Sequence, residues 1–204
     1  VAELMPLFNF LKQRSVKNKK AVELIERAMK DLPSVQFQNP NQISNFQILP
    51  KLQSKQAYSF LDTKKYSRII AISPFLSKKA LNRLESFKHK ILITSAKDVR
   101  LLEDLQETLA HSYLFRLDGL DLHAKMYLCT KRIGGTDVYL GSANLTTAGA
   151  LSDGNNLEMM FCLTSTKDLA ADFEKRFIFK KLKPKRLYPW LLQIRNEDFE
   201  RSDK

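Results

Sequence analysis

Two hydrophobic periods alternate along this chain, and the places where one gives way to the other divide it. Between residues 21 and 32, Ala21, Val22, Leu24, Ile25, Ala28, Met29 and Leu32 recur at three-to-four spacing, with Glu23, Glu26, Arg27 and Lys30 on the other face. That is the pattern of an amphipathic helix, and residues 1–32 read as helical up to the stop at Pro33. Residues 34–50 are rich in Asn, Gln and Ser, hold Pro40 and Pro50, and show no long apolar period. A connector with a short strand at best is expected there. The chain is therefore expected to divide into a helical N-terminal segment with its connector, residues 1–50, and a main domain, residues 51–204, ending in a basic tail.

The main domain is denser. Arg68-Ile69-Ile70-Ala71-Ile72-Ser73-Pro74 is a nearly continuous apolar run with the look of a strand buried on both faces, and Ile91-Leu92-Ile93-Thr94-Ser95 is another. Amphipathic helices are expected over residues 78–87, through Leu81, Leu84 and Phe87, and over residues 97–110, through Val99, Leu101, Leu102, Leu105 and Leu109. Strand, helix, strand, helix implies crossover connections, so the expected fold class is α/β with a mixed, largely parallel central sheet covered by helices. Three further strands are expected over residues 122–129, 138–141 and 157–164, the first two joined by a hairpin with Gly134-Gly135 at its tip. A final helix is expected over residues 168–179, with Leu169, Phe173, Phe177 and Ile178 on its apolar side.

Charge adds a partner to this outline. The chain has 204 residues, 34 Lys+Arg against 22 Asp+Glu, and a formal net charge of +12. Such a balance favours a polyanion, nucleic acid before an anionic membrane surface. From residue 175 to 186 stand Lys175, Arg176, Lys180, Lys181, Lys183, Lys185 and Arg186 with no acidic residue among them. They read as phosphate contacts, or equally as a solvated helix end favoured by its dipole. Cys129 and Cys162 each lie inside an apolar run, as buried thiols in a reducing cytoplasm would. No Cys or His spacing suggests a metal site, and no cofactor is expected. No apolar run approaches the ~18 residues of a membrane span, and the N-terminus lacks a basic segment followed by a long apolar one. A cytoplasmic protein without stable membrane association is expected. Because the chain starts at Val1 rather than Met, a domain cut from something longer is also expected.

The chemistry concentrates in residues 122–158. Period-two geometry sends His123, Lys125 and Tyr127 to one face and Leu122, Ala124, Met126 and Leu128 to the other, so an imidazole and an ammonium project together. The strand after the hairpin ends in Gly141-Ser142-Ala143-Asn144, a small-residue turn through which backbone and two short polar side chains can approach a ligand. In the third strand Asn156, Glu158, Met160 and Cys162 share a face, which places a carboxylate where it could receive the Nδ1 proton of an imidazole and leave Nε2 free to attack. A lone His on a strand is more often structural. An imidazole joined by an ammonium, a hydroxyl, an amide and an orienting carboxylate has what covalent phosphoryl transfer without a metal requires.

His123-Ala124-Lys125, then Gly141-Ser142-Ala143-Asn144-Leu145-Thr146, then Asn156-Leu157-Glu158, together resemble the HKD motif of the phospholipase D superfamily in its bacterial nuclease-like form. The resemblance covers residues 68–179 and implies an α/β/α sandwich, a phosphohistidine intermediate and no metal requirement. It further implies that His123 is the nucleophile or its acid/base twin, Lys125 and Asn144 the phosphate ligands, Ser142 a hydrogen-bonding residue of the pocket, and Glu158 the carboxylate that orients the histidine. There are two departures. The motif commonly has an Asp five residues after its lysine, where Thr130 stands here. Family sites are also built from two facing motifs, and neither His89 nor His111 has a Lys two positions on.

The reading is a metal-independent phosphodiesterase acting on DNA or RNA, with DNA favoured, its site completed by a homodimer mate or a second lobe. Two alternatives from other classes stay open. One is a phospholipid phosphodiesterase using the same residues, and the other is a non-catalytic nucleic-acid-binding lobe of a larger helicase-linked or phage-defence protein.

Overall fold

The structure, a computed structural model of the chain, describes residues 4–35, 39, 41–52, 57–94, 112–114, 122–176 and 185–186. Within them the N-terminal helical stretch is two helices, α1 (Met5–Arg14) and α2 (Lys19–Asp31). The break falls where Asn18 caps α2, its side-chain oxygen accepting from the Ala21 amide at 3.1 Å. The two helices pack on each other and share a Lys12–Glu26 ion pair.

Eight strands form one sheet: β1 (Asn45–Lys51), β2 (Tyr66–Ile72), β3 (His89–Thr94), β4 (Ser112–Leu114), β5 (Met126–Lys131), β6 (Thr136–Gly141), β7 (Glu158–Ser165) and β8 (Lys185–Arg186). Their order across the sheet is β1-β7-β6-β5-β2-β3-β4-β8. Three more α-helices lie among the described residues: α3 (Lys78–Glu85), α4 (Thr147–Ala150) and α5 (Leu169–Phe173).

Apolar side chains of β2 alternate between two cores. Ile69 and Ala71 enter one with Leu81 and Leu84 of α3, while Ile70 and Ile72 enter the other with Ala170, Leu169 and Phe173 of α5. A sheet with a helix on each face is an α/β/α sandwich, the expected fold class. The near-continuous apolar run of β2 follows from burial on both faces.

The sheet is mixed but not largely parallel. Only β2/β3 and β3/β4 pair in parallel, and the other five pairings are antiparallel. Parallel pairing occurs where the strand–helix–strand reading called for crossovers, whereas a short hairpin such as that joining β5 to β6 forces antiparallel neighbours. At its tip Gly134 and Gly135 both have positive φ, 61° and 81°. The helix expected over residues 97–110, the last turn of the helix expected to residue 179, and Lys180, Lys181 and Lys183 lie outside the described residues.

The polar connector ends in a longer strand than expected. Residues 45–50, placed at the end of the connector, form β1 together with Lys51, antiparallel to β7 over its whole length from Asn45↔Thr164 to Lys51↔Glu158. A cut between residues 50 and 51 would sever this strand. Its polar letters hid it, because an edge strand pairs through its backbone whatever half its side chains are.

At the end of the sheet where β5 and β6 meet their hairpin, Asp137 is 1% exposed. Its carboxylate accepts from Tyr66 Oη at 2.7 Å, Thr164 Oγ1 at 2.7 Å, Lys131 Nζ at 2.9 Å and Lys65 Nζ at 3.0 Å. Asp137 stands opposite Cys129 across the β5/β6 pairing, whereas Thr130 Oγ1 donates to Asp168 at 3.2 Å. Burial by itself would raise this carboxyl, but the four donors outweigh it and bring it down to about 2.

Candidate active site

The opposite end of the sheet holds the predicted chemistry. Residues 122–125 run into β5 as an irregular segment rather than as strand, yet the two-face split holds beyond them. Tyr127 is buried in the α3-side core, and Leu122, Met126 and Leu128 pack on the α5 side. His123 is exposed, whereas Lys125 is 8% exposed. The Lys125 ammonium donates to the His123 carbonyl at 2.9 Å and lies 3.2 Å from each ring nitrogen of the imidazole. Desolvation pushes the Lys125 pKa down, against the pull of the Glu158 carboxylate, which holds its proton on.

Ser142 joins the end of β6 to the start of β7. Its amide donates to Met159 O at 3.0 Å, its hydroxyl accepts from the Met159 amide at 2.9 Å, and the same hydroxyl donates to Glu158 Oε2. Only glycine fits just before it, because a Cβ on Gly141 would lie 2.1 Å from Met159 O. Glu158 is buried, and its other carboxylate oxygen accepts from Asn156 Nδ2 at 3.1 Å.

The expected hydrogen bond from His123 Nδ1 to Glu158 is not among those of the described residues. Strand order explains this, since β6 stands between β5 and β7 and neighbouring strands lie roughly 4.8 Å apart. The nearest donor to the Glu158 carboxylate from the β6 side is Ser142, while its electrostatic reach extends to Lys125.

Asn144 sits on a turn held from several sides. Tyr127 Oη donates to Ala143 O at 2.8 Å, and the Leu145 amide donates to Ser73 Oγ at 2.9 Å. The Asn144 carbonyl accepts from the Thr146 amide at 2.8 Å. Its side-chain Oδ1 is buried and accepts no hydrogen bond, in contrast with the saturated groups around it. Five predicted residues, His123, Lys125, Ser142, Asn144 and Glu158, thus come from segments at one end of β5, β6 and β7.

Sequence reasoning missed Lys51, the last residue of β1. It is 1% exposed and stands opposite Glu158 across the β1/β7 pairing. A single lysine closing Ile48-Leu49-Pro50 is no signal until the partner strand is known. The basic residues are spread out. Lys175 and Arg176 are exposed just beyond α5, and Lys185 and Arg186 form β8, four strands from β5 and so roughly 19 Å away. Among the described residues, no group of three or more His, Cys, Asp or Glu is placed to hold a metal ion, and no helix is long and apolar enough to cross a membrane.

No family model matches the chain, and no curated protein matches it in sequence. Solved structures do. One is Nuc from Salmonella typhimurium, a phospholipase D family member, at 13% identity over 64% of this chain and 90% of that one, with a TM-score of 0.42. In fold the chain is similar to a phospholipase D family member. The chain is also similar to phosphatidylserine synthase from Haemophilus influenzae, at 15% identity over 77% of this chain and 44% of that one, TM-score 0.47. With yeast tyrosyl-DNA phosphodiesterase it shares 14% identity over 57% of its own length, TM-score 0.38, and spans only 31% of that protein. At these values the likenesses concern fold, and the chemistry rests on the residues themselves.

Proposed function

We propose that the chain is a phospholipase D-superfamily lobe of a metal-independent phosphodiesterase that cleaves nucleic acid, with His123 as nucleophile. The observation that carries this reading is the meeting of an exposed imidazole with a buried ammonium 3.2 Å from its ring nitrogens, at the sheet end that also holds Ser142, Asn144 and Glu158. A ring nitrogen of His123 attacks the phosphorus of a diester, and the P–O bond to the leaving strand breaks as the P–N bond forms. Lys125 and the amide of Asn144 donate to the non-bridging oxygens as charge builds there. Ser142 donates to the Glu158 carboxylate, whose charge favours the protonated form of Lys125 against desolvation.

The leaving oxygen requires a proton, which a second imidazole supplies. That imidazole then deprotonates the water that attacks phosphorus, breaks the P–N bond and regenerates His123. His123 is the one histidine here followed two positions on by lysine, so the second group comes from another copy across a two-fold axis or from another lobe. The net charge of +12 supports nucleic acid, DNA or RNA, over lipid.

The test is incubation with radiolabelled DNA and RNA, and in parallel with a labelled diester lipid, in excess EDTA, followed by denaturation and a search for label on the protein. The expected result is cleavage of nucleic acid and an acid-labile label that disappears in His123→Ala while binding persists. Strict dependence on added Mg²⁺ or Mn²⁺, or cleavage without any labelled protein, refutes the reading. Faster turnover of the lipid replaces the substrate class.

A further inference from the structure

Lys51 lies outside every motif that carries the phospholipase D resemblance, yet it is nearly the most deeply enclosed charge among the described residues, 1% exposed. Its ammonium donates to three backbone carbonyls, Leu151 O at 2.8 Å, Ala148 O at 2.9 Å and Gly149 O at 3.1 Å. An ammonium has three N–H donors, so all are used. These carbonyls belong to the last turn of α4 and the residue after it, groups that a four-residue helix leaves without an internal partner. A cation is favoured there by the helix dipole as well. Glu158, opposite Lys51 across the β1/β7 pairing, helps keep the ammonium charged against its desolvation.

The short helix that Lys51 grips is pressed against the backbone of Asn144. A Cβ placed on Gly149 would lie 2.7 Å from Asn144 O and 3.0 Å from Asn144 N, so α4 and the Asn144 peptide are in direct contact. Thr146 caps α4 from the other end, its Oγ1 accepting from the Gly149 amide at 3.0 Å. The line of contact therefore runs from Lys51 Nζ through the carbonyls of α4 and Gly149 to Asn144. A methionine of similar length would fill the volume, leave the Ala148 and Gly149 carbonyls without this donor, and leave Leu151 O with the Gly154 amide at 3.2 Å alone.

We propose that Lys51 is a positioning residue that clamps α4 against Asn144 and so sets where the Asn144 amide meets a phosphodiester. This rests on the function proposed above for the biological role of Asn144, though not for the clamp itself.

The experiment uses Lys51→Met, Asn144→Ala and their double variant, with Gly149→Ala as a second route to the same contact should Lys51→Met fail to fold. The first readout is the side-chain amide signal of Asn144 by NMR, together with hydrogen exchange at Leu145 and Thr146. In Lys51→Met the Asn144 signal should shift or broaden and exchange at these amides should rise, while signals of β2 and β3 stay in place. The second readout is kcat and KM on a labelled oligodeoxynucleotide. A displacement near 1 Å is worth about a hundredfold in kcat, with KM little changed. The loss should vanish in the Asn144→Ala background, since two changes acting through one contact do not add. An unmoved Asn144 signal, or a kcat loss that adds fully to that of Asn144→Ala, overturns the proposal. If the unaltered protein cleaves nothing, the function reading falls by itself, and the NMR readout alone decides for or against the clamp.

Discussion

Replacing Asp137 by Asn separates what holds the lobe together from what does its chemistry. The native carboxylate is buried against Tyr66, Thr164, Lys65 and Lys131, and its pKa lies at about 2 against an ordinary 3.8. Because the folded value is the lower one, the ionised carboxylate stabilises the fold at every pH above 3.8, and that contribution is lost as pH falls toward 2. A shift of nearly two units corresponds to about 2 kcal/mol. Asn can still accept from Tyr66, but it offers no charge to the two lysines and turns an amide donor toward one of the four donors present. The lysines retain an escape, with side chains 44% and 27% exposed, so the penalty stays below the 3–5 kcal/mol typical of a fully buried pair broken on one side. A loss of about 2 kcal/mol lowers Tm by roughly 4–8 °C in a chain of this size.

Urea unfolding followed by circular dichroism near neutral pH should show this difference, which should narrow to about half near pH 3 and nearly close near pH 2. Turnover at 25 °C should hardly change, since Asp137 and Ser142 are five residues apart along β6, roughly 16 Å. A loss below about 0.5 kcal/mol at neutral pH, or one that is independent of pH, refutes the assigned network.

Other outcomes are equally specific. Glu158→Gln removes the charge that opposes desolvation of Lys125, so the alkaline limb of the kcat/KM profile should move to lower pH, and a limb that stays put or moves upward contradicts the placement of Glu158. Replacing Lys180, Lys181, Lys183 and Lys185 by Gln should weaken binding to all sequences alike and flatten the salt slope, by up to about 0.9 log unit per log salt for each duplex phosphate no longer neutralised, whereas an unchanged slope makes the segment merely solvated. Cys129 and Cys162 are buried and free, the first raised well above its ordinary pKa and the second to about 11, both chiefly by desolvation, so a thiol reagent should react with neither until urea unfolds the chain. Rapid labelling of the native protein would place them wrongly.

What the sequence determined by itself is what depends on near neighbours. The three-to-four period of residues 21–32, the doubly buried run around Ile70, the Gly134-Gly135 tip and the split of Tyr127 from Met126 and Leu128 all follow from the local geometry of helix, strand and turn. The presence of His123, Lys125, Ser142, Asn144 and Glu158 at one end of three strands was legible for the same reason, since each stands at the start or finish of its own apolar run. Which strands lie side by side was not. Backbone pairing is indifferent to side-chain pattern at a sheet edge, so β1 stayed hidden in a polar stretch, and with it Lys51. Strand order then decided the local partners. With β6 between β5 and β7, Glu158 received the Ser142 hydroxyl rather than the His123 imidazole, and Asp137 gathered donors from β2, β5 and β7 at the far end. Periodicity is a property of a few consecutive residues, whereas adjacency in a sheet joins residues as far apart as Lys51 and Glu158, and only the folded chain supplies it.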